Sequence, residues 1–434
     1  MNPVQRIDFA IARSSHEEAG FLAQSRRCRN FWIVGFALMA LMVKLVIAFN
    51  TFGTNDVVSF YLFGKALSEN GLEWTYRHSI YFNHPPLTAY YLRAIYQLAY
   101  QPFFRDNGLT FPFLLRLPGI IADLITVVAL FWMTGQDRQF RIPTWALALF
   151  ALSPVSIMVT GFHGNTDPVM VMFLVLASLF CLRGKSVWCG LFLALSCQIK
   201  IIPLLLLPIF FFFWLSRRHA VSFSLPFVLV SLVLWAEPLL KFPMLFARNV
   251  FLYGGYWGIW GITYWLRVTN LAMFRIEKVF DDISPMEIFV VSVLKLIIVA
   301  VVLVIAWRRR NLGERALFDS VAYAWIVFFI FAPGICAQYM VWLAPFALVL
   351  SPAFYGWLAA SSSLFLFFFY NVNAGEFPWN GVISDGRHGD WAPWSIWPWA
   401  VLLAGMILFW KKATAAGPSL CLFSLQTLRA DARE

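Results

Sequence analysis

Charge is scarce in this sequence. Only 13% of its 434 residues are Asp, Glu, Lys or Arg, against about 25% in a soluble domain. That excludes a water-soluble globular fold for most of the chain. Its six cysteines stand singly at Cys28, Cys181, Cys189, Cys197, Cys336 and Cys421. Without a CxxC pair or metal spacing to histidine, neither a disulfide framework nor a zinc site is supported. Cys181, Cys189 and Cys197 lie in apolar runs, where thiols act as small hydrophobes. No GxGxxG, GxxxxGK[ST] or HExxH occurs, which argues against nucleotide hydrolysis and zinc-protease chemistry. The external loops also lack a DxD pair for a metal-bound sugar nucleotide.

What the chain has is apolar length. Hydrophobic residues make up 61% and aromatics 18%, with 20 Trp and 45 Phe. Runs long enough to cross a bilayer, roughly 20 residues, recur almost throughout. The pattern predicts an all-α polytopic membrane protein of about twelve spans, at 31–50, 112–134, 142–160, 167–182, 187–199, 201–215, 221–236, 286–307, 316–332, 338–351, 353–371 and 394–411. The formal net charge of +11 fits this threading better than it fits nucleic acid, which is not an expected partner. Arg138 with Arg141, Arg183 with Lys185, Arg217 with Arg218, Arg308 to Arg310 with Arg315, and Lys411 with Lys412 all fall on one side. Cytoplasmic loops carry such an excess. About thirty polar residues, including Arg26, Arg27 and Arg29, precede the first run, as expected of a start-transfer anchor with a cytoplasmic N-terminus. Segment 1–30 and the tail 412–434 are therefore assigned to the cytoplasm, flanking one membrane domain at 31–411 with external loops at about 51–111 and 237–285. The basic loops fit a bacterial inner membrane.

Residues 85–104 decide the threading, because counting them as a span would invert every later loop. Arg93, Gln97 and Gln101 form a polar stripe at i, i+4 and i+8, opposite Leu87, Tyr91, Ile95 and Leu98. That pattern predicts a helix lying in the outer interface, with a second at 57–67. Residues 187–215 must cross twice, turning at Lys200 and Pro203. Half-length helices that meet at depth build polar sites.

Ionisable groups at membrane depth need a reason. Asp56 follows the first span, where a carboxylate can act as a general base; Asn55 or Asp56 also suits the N-cap of the helix starting at Val57. His84 precedes two prolines. Arg116 and Asp123 share a helix face seven residues apart. His163 and Asp167 occupy the turn TGFHGNTDP, where Asp167 suits a cap. Lys200 stands close to the apolar middle, where an anion is needed to meet it. Arg248 precedes YGGYWGIWGITYWL, whose Trp257, Trp260 and Trp265 suit either sugar stacking or interfacial anchoring. Gln338 and Tyr339 open a span after a Pro-Gly break.

HPPLTAYY at 84–91 and RLPGIIAD at 116–123 resemble stretches of the GT-C superfamily of membrane glycosyltransferases. The nearest echoes are the lumenal glucosyltransferases that extend the N-glycan precursor. The turn TGFHGNTDP and the segment IKIIPLLLLP at 199–208 are similar to their His-bearing turn and Lys-led segment. AQYMVWLAP at 337–345 looks more like the polyprenyl-phosphate-mannose mannosyltransferases. Two departures stand out: Asn55-Asp56 replaces a frequent Gly-Asp, and GNTDP replaces an aromatic-rich turn. An asparagine-linked-glycan acceptor is therefore not carried over.

The resemblance implies a GT-C-like bundle and an inverting transfer at the outer face. The expected donor is a polyprenyl-phosphate monosaccharide carrying a hexose, mannose or glucose foremost. A lipid-linked glycan or other molecule would accept it. Asp56 is the expected base. Lys200 and Arg248 are expected on the leaving phosphate, with His84 or His163, and Asp167 on the sugar or acceptor. Arg116, Trp260, Gln338 and Tyr339 complete the expected substrate contacts. No cofactor is required; a divalent metal is compatible with the pattern, but nothing calls for one. The competing readings are a flippase for lipid-linked sugar and an acyl- or phosphoethanolamine-type transferase.

Overall fold

The computed structural model of the chain describes residues 30–136, 140, 142–252, 260–262, 285–379 and 391–414. Trp257, Trp265, Arg138, Arg141, Cys28, Cys421, nearly all of the N-terminal segment, most of the second external loop and the tail beyond Thr414 lie outside the described residues.

In hydrocarbon every backbone N–H and C=O needs an internal partner, and a helix supplies one locally. The apolar runs accordingly form helices. They begin with α1 (Asn30–Asn50), then α2 (Asn55–Glu69), α3 (Gly71–His78), α4 (Pro86–Ala99), α5 (Pro102–Asp106) and α6 (Phe111–Gln136). Next come α7 (Thr144–Ala151), a π turn (Ile157–His163), α8 (Asp167–Leu182) and α9 (Ser186–Ile199). α10 (Leu207–Ser216), α11 (Ala220–Lys241), α12 (Pro243–Phe246) and a second π turn (Ala247–Phe251) follow. The chain continues with α13 (Pro285–Arg309), α14 (Glu314–Phe331), α15 (Ala344–Leu350), α16 (Pro352–Asn373) and α17 (Ile396–Thr414). Among the described residues there is no strand, only an isolated bridge between Trp260 and Ile335. Among the described residues, seven helical segments are long and apolar enough to cross a membrane, and Asp167–Leu182, Ser186–Ile199, Ile202–Ser216 and Ala337–Leu350 are shorter apolar ones. With α14, these cover every one of the twelve expected runs. The chain is an all-α polytopic membrane protein.

Burial sorts the helices into inner and outer sets. α14 buries almost every residue from Leu317 to Ile330, and α8 is nearly as enclosed. α1, α11 and α13 instead turn rows of apolar side chains outward, such as Leu225, Val228, Leu232 and Val233 on α11. A contiguous apolar surface of that extent has its place against lipid. α9 packs between α8 and α11, while α14 packs on α13, α15 and α17.

The segment expected to form the first external loop folds onto this bundle as α2 to α5. The segment expected to lie in the interface is α4, 14 residues long, or ~21 Å. It buries Pro86, Ala89, Leu92 and Ile95 against the protein and leaves Arg93 and Gln97 exposed. Leu98 is exposed too, so its apolar face is narrower than expected. α11 runs to Lys241, five residues past its expected end at 236. The extension carries Glu237, which accepts a 2.6 Å hydrogen bond from the Tyr90 hydroxyl of α4. The expected turn between half-helices is present. The backbone is extended at Lys200, and a 3-10 turn (Ile202–Leu206) containing Pro203 leads into α10.

Candidate active site

Two tight turns and one arginine build the site. Arg116, on α6 and 1% exposed, reaches between the end of α1 and the first π turn. Its guanidinium donates to the carbonyls of Ala48, Thr51, Phe52 and Gly161 and to the Thr51 hydroxyl. Gly53 (φ +100°) and Gly164 (φ +82°) pack against it in left-handed backbone. A Cβ at Gly53 would stand 2.6 Å from the Arg116 Nη2, so only glycine lets the chain turn this close. The residue expected to hold substrate thus sets the course of the segment leading to Asp56, and it does not line the cavity.

Thr54 joins that segment to the π turn. Its hydroxyl donates to the His163 carbonyl at 2.9 Å, and it also caps α2 by accepting from the Asp56 N–H at 3.4 Å. The cap is therefore Thr54, not Asn55 or Asp56, because the helix begins two residues earlier than expected. Asp56 is left in the first turn, where the helix dipole favours an anion.

Asp56 Oδ2 accepts three hydrogen bonds: from His163 Nε2 at 3.0 Å, Asn165 Nδ2 at 2.7 Å and Gln338 Nε2 at 3.1 Å. Oδ1 takes no donor among the described residues, and the side chain remains 27% exposed. Burial pushes the Asp56 carboxyl upward, but the His163, Asn165 and Lys200 groups outweigh it and hold the carboxyl below the usual range. A cavity of about 200 Å³ opens here, lined by Thr54, Asn55, Asp56, His163, Cys336, Ala337, Gln338, Phe369 and Asn373.

The expected Lys200 and Asp167 are also together, on each other. Lys200 Nζ lies 2.8 Å from Asp167 Oδ1, and the Trp342 indole N–H donates to the same oxygen at 2.5 Å. Asp167 is fully buried. It does not cap α8; Asn165 Oδ1 accepts its N–H at 3.1 Å. Tyr339 stacks on Trp342 with centroids 3.9 Å apart, its ring 4.8 Å from Lys200 Nζ. Neither Lys200, Asp167 nor Tyr339 lines the cavity.

His84 is buried between Phe60 and Phe82. Burial, then the Lys200 charge, drives its pKa down to about 3, and the Ile199 carbonyl and Asp56 offset this only in part. It is therefore neutral near pH 7, and its Nδ1 is buried without a hydrogen-bond partner. Arg248 and Asn249, in the second π turn, hold the segment before His84. Arg248 Nη2 donates to the Tyr76 carbonyl at 3.2 Å, and Asn249 to those of Tyr76, Ser79 and Phe82. Arg248 stays exposed. Trp260 is 0% exposed in the core, donating to the Phe329 carbonyl at 3.2 Å, so it offers no face to a sugar at the cavity.

Several residues at the site were not expected. Asn165 lies inside the quoted turn, two residues from His163, where its amide was a legible signal. Lys44 was legible too, a lone lysine in the first span. It bonds Asp123 Oδ2 and Ser156 at 2.7 Å each, with Thr160 and Ser156 also donating to that carboxylate. Phe369, Tyr370 and Asn373 carry no signal within an aromatic span. Among the described residues, no group of three His, Cys, Asp or Glu side chains is arranged to hold a metal.

Residues 100–333, more than half of the chain, match the family model of glycosyltransferase family 87. The chain belongs to that family. No curated protein matches the sequence. This family 87 chain is thus a transferase, which decides against the transport reading and agrees with the glycosyltransferase resemblance. The matched segment holds Arg116, His163, Asn165, Asp167, Lys200 and Arg248 of the family 87 transferase. Asp56, His84, Gln338, Tyr339 and Tyr370 lie outside it.

Proposed function

We propose that this transferase moves a hexose from a polyprenyl-phosphate donor to a lipid-linked glycan or similar acceptor at the outer membrane face, inverting the sugar, with Asp56 as base. The observation that carries the reading is the asymmetry of Asp56. One oxygen is held by three donors and the other is unengaged beside an open cavity. A carboxylate so held stays ionised and fixed in direction. The acceptor oxygen attacks C1, and the C1–O bond to the phosphate breaks with its electron pair going to the phosphate. The hydroxyl proton passes to Asp56 Oδ1.

A lipid carrier accords with a sequence that holds no GxGxxG or GxxxxGK[ST] loop, and its tail would remain among the outward-facing apolar helices. For the leaving phosphate, Arg248 has exposed charge to offer, whereas the Lys200 ammonium is already paired with Asp167. Neutral His84 contributes hydrogen bonding and no charge. Phe369 offers an aromatic wall beside the base, suited to a sugar face. The distribution of basic loops supports cytoplasmic termini and a bacterial inner membrane.

The test is transfer by purified protein in lipid from a panel of radiolabelled polyprenyl-phosphate monosaccharides, with water and lipid extracts as acceptors. Wild type should form a labelled glycoside. Asp56→Ala should lose about 10²–10⁴-fold while melting like wild type. Full activity in Asp56→Ala removes the base assignment, and no transfer from any carrier-linked sugar removes the donor assignment.

A further inference from the structure

Behind Asp56 a hydrogen-bonded chain continues into the core. His163 Nε2 meets Asp56 Oδ2 at 3.0 Å, and His163 Nδ1 meets the Tyr370 hydroxyl at 2.8 Å. Both ring nitrogens are thereby engaged. Tyr370 is 0% exposed, enclosed by Phe162, Phe369 and Trp379. It sits on α16 between two cavity residues, Phe369 and Asn373.

We infer that Tyr370 is a positioning residue: acting through His163, it keeps an N–H directed at the base. The inference rests on the assignment of Asp56 as base. An ionised carboxylate only accepts, so Nε2 must carry a proton where it faces Oδ2. In a neutral ring Nδ1 is then an acceptor, and the Tyr370 O–H donates to it. In an imidazolium Nδ1–H donates and the Tyr370 oxygen accepts. A hydroxyl rotates to serve either state, so tyrosine supports the ring whether or not it is charged. Without that hydroxyl, Nδ1 is a buried group lacking a partner, which is unfavourable. The ring then gains by rotating away from Asp56.

Among the described residues, the other charged and titratable groups around this chain come from six elements. They are Lys200 after α9, Asp167 on α8, Cys336 after α14, the neutral His84 before α4, Arg116 on the Gly161 carbonyl, and the Lys44–Asp123 pair against the far side of the π turn. The charged groups among them are held by contacts that do not involve Tyr370. Removing its hydroxyl should therefore act on Asp56 by way of His163 alone. A donor lost from Asp56 weakens its ionised form, and the acid limb of the activity profile then moves to higher pH.

The experiment uses Tyr370→Phe, which keeps the ring packing, with whichever polyprenyl-phosphate monosaccharide the wild type accepts. Its kcat is expected to fall roughly 2- to 13-fold, as for one neutral hydrogen bond, with an upward-moved acid limb in kcat/KM and an unchanged donor KM. The same substitution in a His163→Gln background should cause no further movement, because coupled positions are not additive. An acid limb unmoved by Tyr370→Phe, or equal movement in both backgrounds, overturns the inference. If Tyr370→Phe does not fold, a fluorotyrosine at position 370 serves, because it keeps the ring packing and alters only the acidity of the hydroxyl. The acid limb should then move in the wild-type background and stay in place with His163→Gln, and an acid limb unmoved in the wild-type background overturns the inference. Turnover retained by Asp56→Asn would instead sink the base assignment itself.

Discussion

Asp167 and Asp56 stand at the same end of the bundle, bound to residues of the same turn, yet their surroundings differ in kind. Asp167 is fully buried, and its carboxylate meets a lysine and an indole. Asp56 keeps 27% of its side chain exposed, and among the described residues its carboxylate accepts hydrogen bonds from His163 and two side-chain amides. Asp123 follows the first pattern, with Lys44 as partner. Paired carboxylates are neutralised in place and join helices. The one without a lysine contact keeps an oxygen free beside the cavity. In an apolar protein, then, the partner's charge separates a carboxylate that holds the fold from one available for chemistry.

Breaking the paired region should have the largest effect on stability. Lys200→Met strands a buried carboxylate, and loss of one partner typically costs about 3–5 kcal/mol. A melting curve in detergent should drop sharply, and Asp167→Asn added to Lys200→Met should recover much of the loss. A Lys200→Met protein that melts like wild type would dissolve the contrast between the two sites. Next comes Asn165→Ala, which removes a charge-assisted donor from Asp56. Such bonds contribute roughly 1.5–3 kcal/mol, so kcat/KM should fall about ten- to hundred-fold. Because an N–H donor favours the ionised form, its loss raises the Asp56 pKa, and activity should fail at higher pH than in wild type. An acid limb at its wild-type position would show that Asn165 serves Asp167 alone. The smallest effect is expected from Thr54→Val. It loses the α2 cap and the bond to His163, about 1 kcal/mol, read as a modest drop in melting temperature with activity largely kept.

Much of the fold was legible because hydrocarbon admits so few backbone structures. Apolar length located all twelve helical runs, and polar periodicity kept residues 85–104 out of the count. The site was legible in part. Asp56, His163 and Gln338 were singled out as polar groups in an apolar chain, and they meet. Arg116, Lys200 and Asp167 were singled out for the same reason, but they satisfy the protein's own needs. Sequence exposes a polar residue without naming its partner, and the partner decides between these outcomes. Tyr370 escaped because a tyrosine among phenylalanines leaves no pattern. Trp260 misled because aromatic residues suit sugar faces and protein cores equally.

The π turn at Ile157–His163 makes the site sensitive to chain length as well as to side chains. Such a turn is a local widening of an α-helix, frequent at functional sites. Wound instead at about 3.6 residues per turn, the same 7 residues would carry everything beyond roughly 100° further round the axis. His163 would swing away from Asp56 with its imidazole intact. A substitution that favours a regular α-helix there should therefore disturb the site unless one residue is deleted with it, and the number of residues between Ser153 and Gly164 is as much a part of the site as their identities.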